Sequence, residues 1–415
     1  MTKKEKLSTE PYKGVRDFYP EDQAFLNYLF MTFRSTLERW GYVEYNASIL
    51  EPSELYKAKG SENEEIVSEQ TYTFVDRGER EVTLRPEMTP TVARMVAAKR
   101  RELGYPLRWY SIPNCFRYER PQRGRLREFW QLNVDIFGSS SLAADAEVIA
   151  VSHAIMLALG ASQDDFTIKL GSRAFLDQVV ETLGLNQDQA KKLRTLLDRR
   201  AKMPAGDFER DIAEIGVAIE MLSPEKPPQD VREVMALLEG FGITNAVFDP
   251  SIVRGFDYYT GVVFELFDNH PDNNRALFGG GRYDNLLALF DDTDVPAVGV
   301  AAGDETLRNF LEVRNLLPTY LPPTKVYIAL TSEALVGAAL TVASTLRQGN
   351  VGVAVDFGEK KLADQIKTAT KHKIPYLLVV GEDELASNSF NVKDLETGEE
   401  HALSREQLTS FFSTR

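Results

Sequence analysis

Cysteine is almost absent: Cys115 stands alone in 415 residues, so no disulfide can form within the chain. Histidine is scarce too. The four (His153, His270, His372 and His401) are scattered, none at ligand spacing from a cysteine or an acid, so no zinc site is expected. There is no run of eighteen apolar residues, and the opening MTKKEKLSTEPYKG is polar, which argues against both a membrane span and export. The expected setting is a reducing cytoplasm. Positive charge is also in deficit, with a net charge of −14, and taken as a sum this disfavours nucleic acid, whose binding is driven by Lys and Arg on phosphate.

The distribution of charge says otherwise. Between Lys99 and Arg127 there are nine Lys or Arg (99, 100, 101, 108, 117, 120, 123, 125, 127) against two acids (102, 119). A basic patch inside an acidic chain is the footprint of one face meeting polyphosphate while the rest stays soluble. A solvated arginine-rich surface has the same composition.

The length and the 43% hydrophobic content allow a sizeable core in two or three domains. Glu21 to Arg39 has apolar residues at helical spacing, with Pro20 before it and Gly41 after it. Strand-like pieces follow in YVEYNASILEP, TYTFVDRG, EVTLRPEM and LRWYSIPNCFRYE, then helices over 91–103 and 142–159. Segments 174–183, 187–201, 208–221 and 230–240 read as helices of an insert spanning about 170–245. Strands resume in SIVRGFDYYTGVVFELFD and run to PAVGVAAG. After LPPT, strands and helices alternate from VYIAL to a last helix capped by Ser404 with Gln407. The expected fold class is α/β: an α+β domain over 1–322 with an antiparallel sheet and the helical insertion, then an α/β domain over 323–415.

The most informative stretch is FRYERPQRGRLREFWQLNVDIFG, residues 116–138. Side chains alternate along a strand, so Trp130, Leu132, Val134 and Ile136 share one face, and Phe129, Gln131, Asn133, Asp135 and Phe137 the other. Before the loop, Arg117 and Glu119 share a face. A sheet with its polar face in water has this pattern, and so does a ligand site with an aromatic ring at its entrance and polar groups deeper in.

These residues resemble the second signature motif of class II aminoacyl-tRNA synthetases, and in detail the histidyl-tRNA synthetase family. KGVRDFYP (13–20), TLRPEMTP (83–90), VRGFDYYTGVVFE (253–265) and GGGRYDNL (279–286) are similar to that family's other marks and come in its order. The resemblance covers nearly the whole chain. It implies that histidine and ATP form histidyl-adenylate and that the histidyl group then passes to tRNA(His). The reaction is displacement at the α-phosphate, which rests on positioned cations.

By the same resemblance Arg117 and Arg254 are the catalytic cations, and ATP is bound by Arg117, Glu119, Phe129 and Arg254. Glu87, Thr89, Gln131, Asp135, Tyr258, Tyr259 and Tyr283 hold histidine, with Thr83 as a further candidate at its ammonium end. Asp135 stands where many members carry glutamate. The loop residues Arg120, Gln122 and Arg123 reach the tRNA acceptor end, and the last domain binds the anticodon; Lys360 and Lys361 fit either an RNA contact or an ordinary solvated helix end. Mg²⁺ accompanies ATP, and a homodimer is expected.

Two positions depart from the family pattern. Ser48 replaces a proline of the first motif, and Thr306 stands where the third motif carries an arginine on the γ-phosphate. Either another cation such as Arg120 or Arg282, or Mg²⁺, then holds the ATP tail, or ATP binding is weakened. That gap keeps a rival in view: a synthetase-like regulator, of the kind that partners ATP phosphoribosyltransferase, which does not activate the amino acid. A class II enzyme for glycine, threonine or proline is disfavoured by the RGFDYY and GGGRYDN pair.

Overall fold

A computed structural model of the chain describes residues 7–57, 70–200, 203–204, 206–222, 226–252, 258–273, 275–290, 294–357 and 360–413. It divides into two compact units, Met1–Pro318 and Thr319–Arg415.

The strands of the first unit are β1 (Val43–Glu44), β2 (Leu50–Pro52), β3 (Tyr72–Val75), β4 (Glu81–Leu84), β5 (Leu107–Ser111) and β6 (Asn114–Phe116). Then come β7 (Glu128–Phe137), β8 (Phe166–Ser172), β9 (Ala246–Phe248), β10 (Val262–Asp268), β11 (Ala276–Arg282) and β12 (Ala297–Gly303). Its helices are α1 (Pro20–Arg39), α2 (Glu54–Lys57), α3 (Thr89–Lys99), α4 (Leu142–Ala158), α5 (Arg173–Thr182), α6 (Gln187–Arg199), α7 (Asp207–Glu214), α8 (Gln229–Gly240) and α9 (Asp304–Val313).

Among the described residues the main sheet runs β1-β5-β7-β12-β11-β10-β8-β9, with β6 paired to β7; a smaller sheet runs β2-β4-β3. Its central strands pair antiparallel, and only the edge strands β1 and β9 pair parallel.

The alternation along β7 sorts its two faces. Leu132, Val134 and Ile136 enter the largest core, where α1 and α4 cover the sheet. Helix α1 begins with Pro20, Glu21 and Asp22, a start that suits the unpaired N–H groups and the positive end of a helix, and buries Phe25, Leu26, Leu29, Phe33 and Leu37. Helix α4 is capped by Ser141, whose side chain accepts from the Ala143 N–H, and its alanines let it lie close on the sheet. On the opposite face Phe137, Tyr259, Tyr283, Val92 and Val96 form a second core.

Several sequence expectations shift. The helix expected over 91–103 is α3, Thr89–Lys99. The one expected over 208–221 stops at Glu214, because Gly216 takes φ +83° and a short 3₁₀ turn, Ile219–Leu222, replaces the rest. The inserted segment is also less uniform than its helical pattern implies. Helices α5, α6 and α7 share a core of their own around Leu193, Leu197, Phe208 and Ile212, while α8 buries Val231, Val234 and Leu238 in the main core. In SIVRGFDYYTGVVFELFD the strand is β10, and residues 253–257 lie outside the described residues.

The second unit contains β13 (Val326–Leu330), α10 (Val336–Gln348), β14 (Val353–Val355), α11 (Leu362–Lys371), β15 (Tyr376–Val380), α12 (Glu382–Ser387), β16 (Phe390–Asp394), β17 (Glu400–Leu403) and α13 (Arg405–Ser413). Its sheet is mixed, in the order β14-β13-β15-β16-β17, with apolar residues on both faces. The capping of the last helix holds, since the Ser404 N–H donates to Gln407 Oε1 at 2.9 Å.

Backbones crowd where β11 meets β12. A Cβ at Gly280 would sit 2.1 Å from the Gly299 carbonyl oxygen and 2.8 Å from Val300 Cα, atoms that cannot swing aside. Gly280→Ala should therefore destabilise the protein by about 1–3 kcal/mol or more. Gly337→Ala, on α10 where nothing lies within 4 Å, should be neutral or stabilise by up to about 1 kcal/mol. Denaturant midpoints of the two variants check the contrast, and equal midpoints would contradict the packing argument.

Candidate active site

One side of the central sheet holds a cavity of about 310 Å³, floored by β7, β11 and β12. Phe129, Gln131, Asn133 and Asp135 all face it, as expected for alternate residues of β7. Glu87, Thr89, Arg117, Glu119, Tyr258, Tyr259 and Tyr283 line it too. The strand floor explains its depth: Asp135, Asn133 and Gln131 lie opposite Gly299, Ala301 and Gly303 of β12, small residues that leave the space open.

One end is polar and buried. Asp135 is 4% exposed and accepts a short hydrogen bond from the Tyr283 hydroxyl on Oδ1, while Oδ2 has no partner among the described residues. Burial raises its pKa to about 7, against the lowering effect of the Tyr283 hydrogen bond. The carboxylate fits only because its neighbour has no side chain: a Cβ at Gly299 would be 2.1 Å from Asp135 Oδ1. Tyr258 stacks near Tyr259 and meets Tyr283 edge-on, with ring centroids 4.7 and 5.7 Å apart, so three phenols wall this end.

The other end is basic. Arg117 donates from Nε to the Pro86 carbonyl at 2.9 Å, which fixes the plane of its guanidinium, and Cζ lies 5.3 Å from the Phe129 ring centroid. Glu119 stands between Arg117 and Arg125, at 3.9 and 3.5 Å. Arg127 is not a surface cation. It is buried, donates from Nε to the Glu119 carbonyl, lies 3.9 Å over the Tyr118 ring, and its backbone N–H donates to the Gly14 carbonyl. The KGVRDF segment thus clamps the base of the loop, and Gly14, at φ +89°, has no room for a Cβ beside Arg127.

Some sequence candidates lie elsewhere. Arg120, Gln122 and Arg123 are exposed on the loop and outside the cavity. Arg254 lies outside the described residues. Thr83 is buried in the small sheet with its hydroxyl shared between Ser53 and Thr73, at 2.7 and 2.8 Å, so it does not reach the cavity.

Arg282 is committed to the fold. It is 5% exposed and bonds Asp145, Asp284 and the carbonyls of Ser139 and Ser141, so it is unavailable for a ligand in the cavity.

Thr306 does line the cavity, but its hydroxyl donates to the Gly303 carbonyl at 2.9 Å, and Arg308 turns away to Asp22.

The sequence reading missed Arg85, buried and bonded to the Asn114 and Ala47 carbonyls, which fixes the TLRPE turn that presents Glu87. It also missed Asp304, which accepts from the Trp130 N–H and pairs with Arg16. Neither has a local signal, because each partner is distant in sequence.

The comparisons with known proteins agree with this geometry. The family model described as histidyl-tRNA synthetase matches residues 14–209 and 209–307, and an anticodon binding domain matches 325–415. The protein of Leptospira biflexa named histidine–tRNA ligase is 40% identical, over 99% of this chain and 97% of its own length. The one of Thermoplasma volcanium with the same name is 34% identical, over 98% of both. Among solved structures, the histidyl-tRNA synthetase of Nostoc sp. PCC 7120 superposes with a TM-score of 0.83 at 24% identity, covering 99% of this chain and 100% of that one, a likeness of fold. A Bacillus halodurans C protein described as an ATP phosphoribosyltransferase regulatory subunit/histidyl-tRNA synthetase superposes at 0.71 with 25% identity, over 91% of this chain and 99% of that one. A family match across most of the first unit, with relatives at 34–40% identity along nearly the full length, settles the assignment: the chain belongs to the histidyl-tRNA synthetase family.

Proposed function

We propose that the chain is an ATP-dependent histidine–tRNA ligase whose cavity holds histidine at its acidic, phenol-walled end and ATP at its arginine end. The observation that carries this reading is Asp135, a buried carboxyl that lines the cavity with Tyr258, Tyr259 and Tyr283 and whose Oδ2 has no partner among the described residues. An imidazole N–H supplies the missing donor. A site built for a polar ring rejects apolar amino acids strongly, because its own groups would stay unpaired. Glu87, Thr89 and Gln131 take the amino and carboxylate end, and Phe129 stacks the adenine.

The histidine carboxylate oxygen attacks the α-phosphorus, and pyrophosphate leaves in line. Arg117, held by Pro86, and Arg254 neutralise the charge that builds on the α-phosphate oxygens; arginine suits this, being always charged and forked. Glu119 keeps Arg117 oriented. Mg²⁺ enters on the phosphates of ATP and needs only one or two carboxylates from the protein, so the absence of a cluster of three or more metal-binding side chains among the described residues is compatible with it. The adenylate then passes its histidyl group to tRNA, with Arg120, Gln122 and Arg123 exposed on the loop for the acceptor end and the second unit for the anticodon. Exposed Ile49, Leu50, Phe74 and Val75 on and beside the small sheet support a homodimer with a second copy. No helix among the described residues is long and apolar enough to cross a membrane, and burial pushes the lone thiol, Cys115, up to about 12; both are compatible with a cytoplasmic enzyme.

The regulatory alternative is not favoured, since relatives at 34–40% identity over their full length are named as ligases. The purified chain should exchange pyrophosphate into ATP only when histidine is added, and a chain that binds histidine without exchange would be the regulator instead. Arg117→Ala should lower the exchange rate by about 10²–10³-fold. Gln122→Ala with Arg123→Ala should lower tRNA charging by about tenfold and leave exchange unchanged.

Asp135→Asn separates stability from function. In the folded chain the Asp135 carboxyl takes a proton below about pH 7, whereas an unfolded one does so only below about 3.8. The folded state therefore binds more protons between those values, and stability falls as pH rises through that window. Asn removes this loss, so the variant should be more stable than the wild type at pH 8 by up to about 4 kcal/mol, and no more stable near pH 4. Its KM for histidine should rise by about tenfold or more. Denaturation at the two pH values and exchange kinetics check both halves.

A further inference from the structure

The basic end of the cavity carries more positive charge than its carboxylate neutralises. Arg117 and Arg125 share Glu119. A third guanidinium, Arg275, lies against the same turn: a Cβ at Gly124 would be 3.3 Å from Arg275 Cδ and 3.7 Å from its Nε and Nη1. Gly124 takes φ +75°, so glycine both makes the turn and leaves the space in which Arg275 rests. Gly124, Arg125 and Ala276, the residue after Arg275, line the cavity; Arg275 itself does not line it but lies at its margin, against the Gly124 turn. Arg275 is half-buried and has no hydrogen-bond or ion-pair partner among the described residues. Burial, and then the charge of Arg125, lowers its pKa against the opposing pull of Glu119. Two cations held close with one shared counter-ion repel each other until an anion comes between them.

No described cation serves that purpose from the opposite wall. The first turn of α9 presents Asp304 and Glu305, both paired with Arg16, and then Thr306, which is uncharged. Arg308 is bound to Asp22, and Arg282 is buried in the fold.

We infer that Arg275, lying over the Gly124 turn beside Arg125, binds the terminal phosphates of ATP. The inference rests on the reading of this cavity as the ATP site. A bent nucleotide with its adenine on Phe129 brings its tail to the loop side, where Arg275 and Arg125 fork onto the phosphate oxygens from two strands of the chain. Arg275 touches the departing pyrophosphate and not the α-phosphate, so it sets tail binding rather than the identity of the amino acid.

Calorimetry on the full chain tests this with ATP, pyrophosphate and AMP as probes, comparing wild type, Arg275→Gln and Arg275→Lys. The Gln variant should bind ATP and pyrophosphate about 10–100-fold more weakly, bind AMP within about twofold of wild type, and melt at the wild-type temperature without ligand. The Lys variant should recover part of the loss, and it carries the comparison if the Gln variant does not fold. In pyrophosphate exchange, KM for ATP should rise by a similar factor while KM for histidine stays unchanged.

Unchanged ATP binding, or an equal loss of ATP and AMP, would overturn the inference. So would a rise confined to the KM for tRNA, which would assign Arg275 to RNA. A wild type that binds ATP but shows no exchange would sink the ligase reading alone, because the ATP-to-AMP comparison still decides the role of Arg275.

Discussion

The site depends on the pairing of β7 with β12, which sets Asp135 opposite Gly299. A carboxylate can be buried on that strand only where the facing residue has no Cβ, since a methyl group would lie 2.1 Å from its oxygen. The same glycine strand lets β11 approach, so Tyr283 arrives at hydrogen-bond distance of Asp135 from the next strand over. One oxygen is thereby satisfied and the other is not. An unpaired buried acceptor costs on the order of 1–3 kcal/mol, and it lowers the free energy of binding any ligand that brings a donor.

Around that point the cavity sorts charge by distance from the loop. Asp135 and three phenols line one end, and the guanidinium groups of Arg117 and Arg125 line the other, with Arg275 at its margin against the Gly124 turn. Part of the basic patch is structural, since Arg108 pairs with Glu147 and Arg127 is buried under Tyr118; outside the patch, Arg282 anchors α4 through Asp145. The set proposed for phosphate is small: Arg117 is held by the Pro86 carbonyl, Arg125 by Glu119, and Arg275 rests over the Gly124 turn. Preorganised charge of this kind needs no rearrangement when the substrate arrives.

The face assignment of β7 was legible because a period of two is local: nine residues suffice to separate Leu132, Val134 and Ile136 from Gln131, Asn133 and Asp135. The end of α7 was not read, because a helical pattern that continued past Gly216 hid the stop. Partners distant in sequence could not be read. Nothing near Arg282 announces Asp145, so an arginine of a glycine-rich motif looked available for phosphate when it is a buried ion pair. Arg275 had no motif at all, and its place appears only when the Gly124 turn is folded against it.

The most direct test of the account is a crystal structure of the chain with histidinol and ATP bound. The account predicts an imidazole nitrogen within about 2.7–3.2 Å of Asp135 Oδ2, the adenine on Phe129 and the α-phosphate at Arg117. An imidazole bound elsewhere, with Asp135 Oδ2 still unpaired, would contradict it.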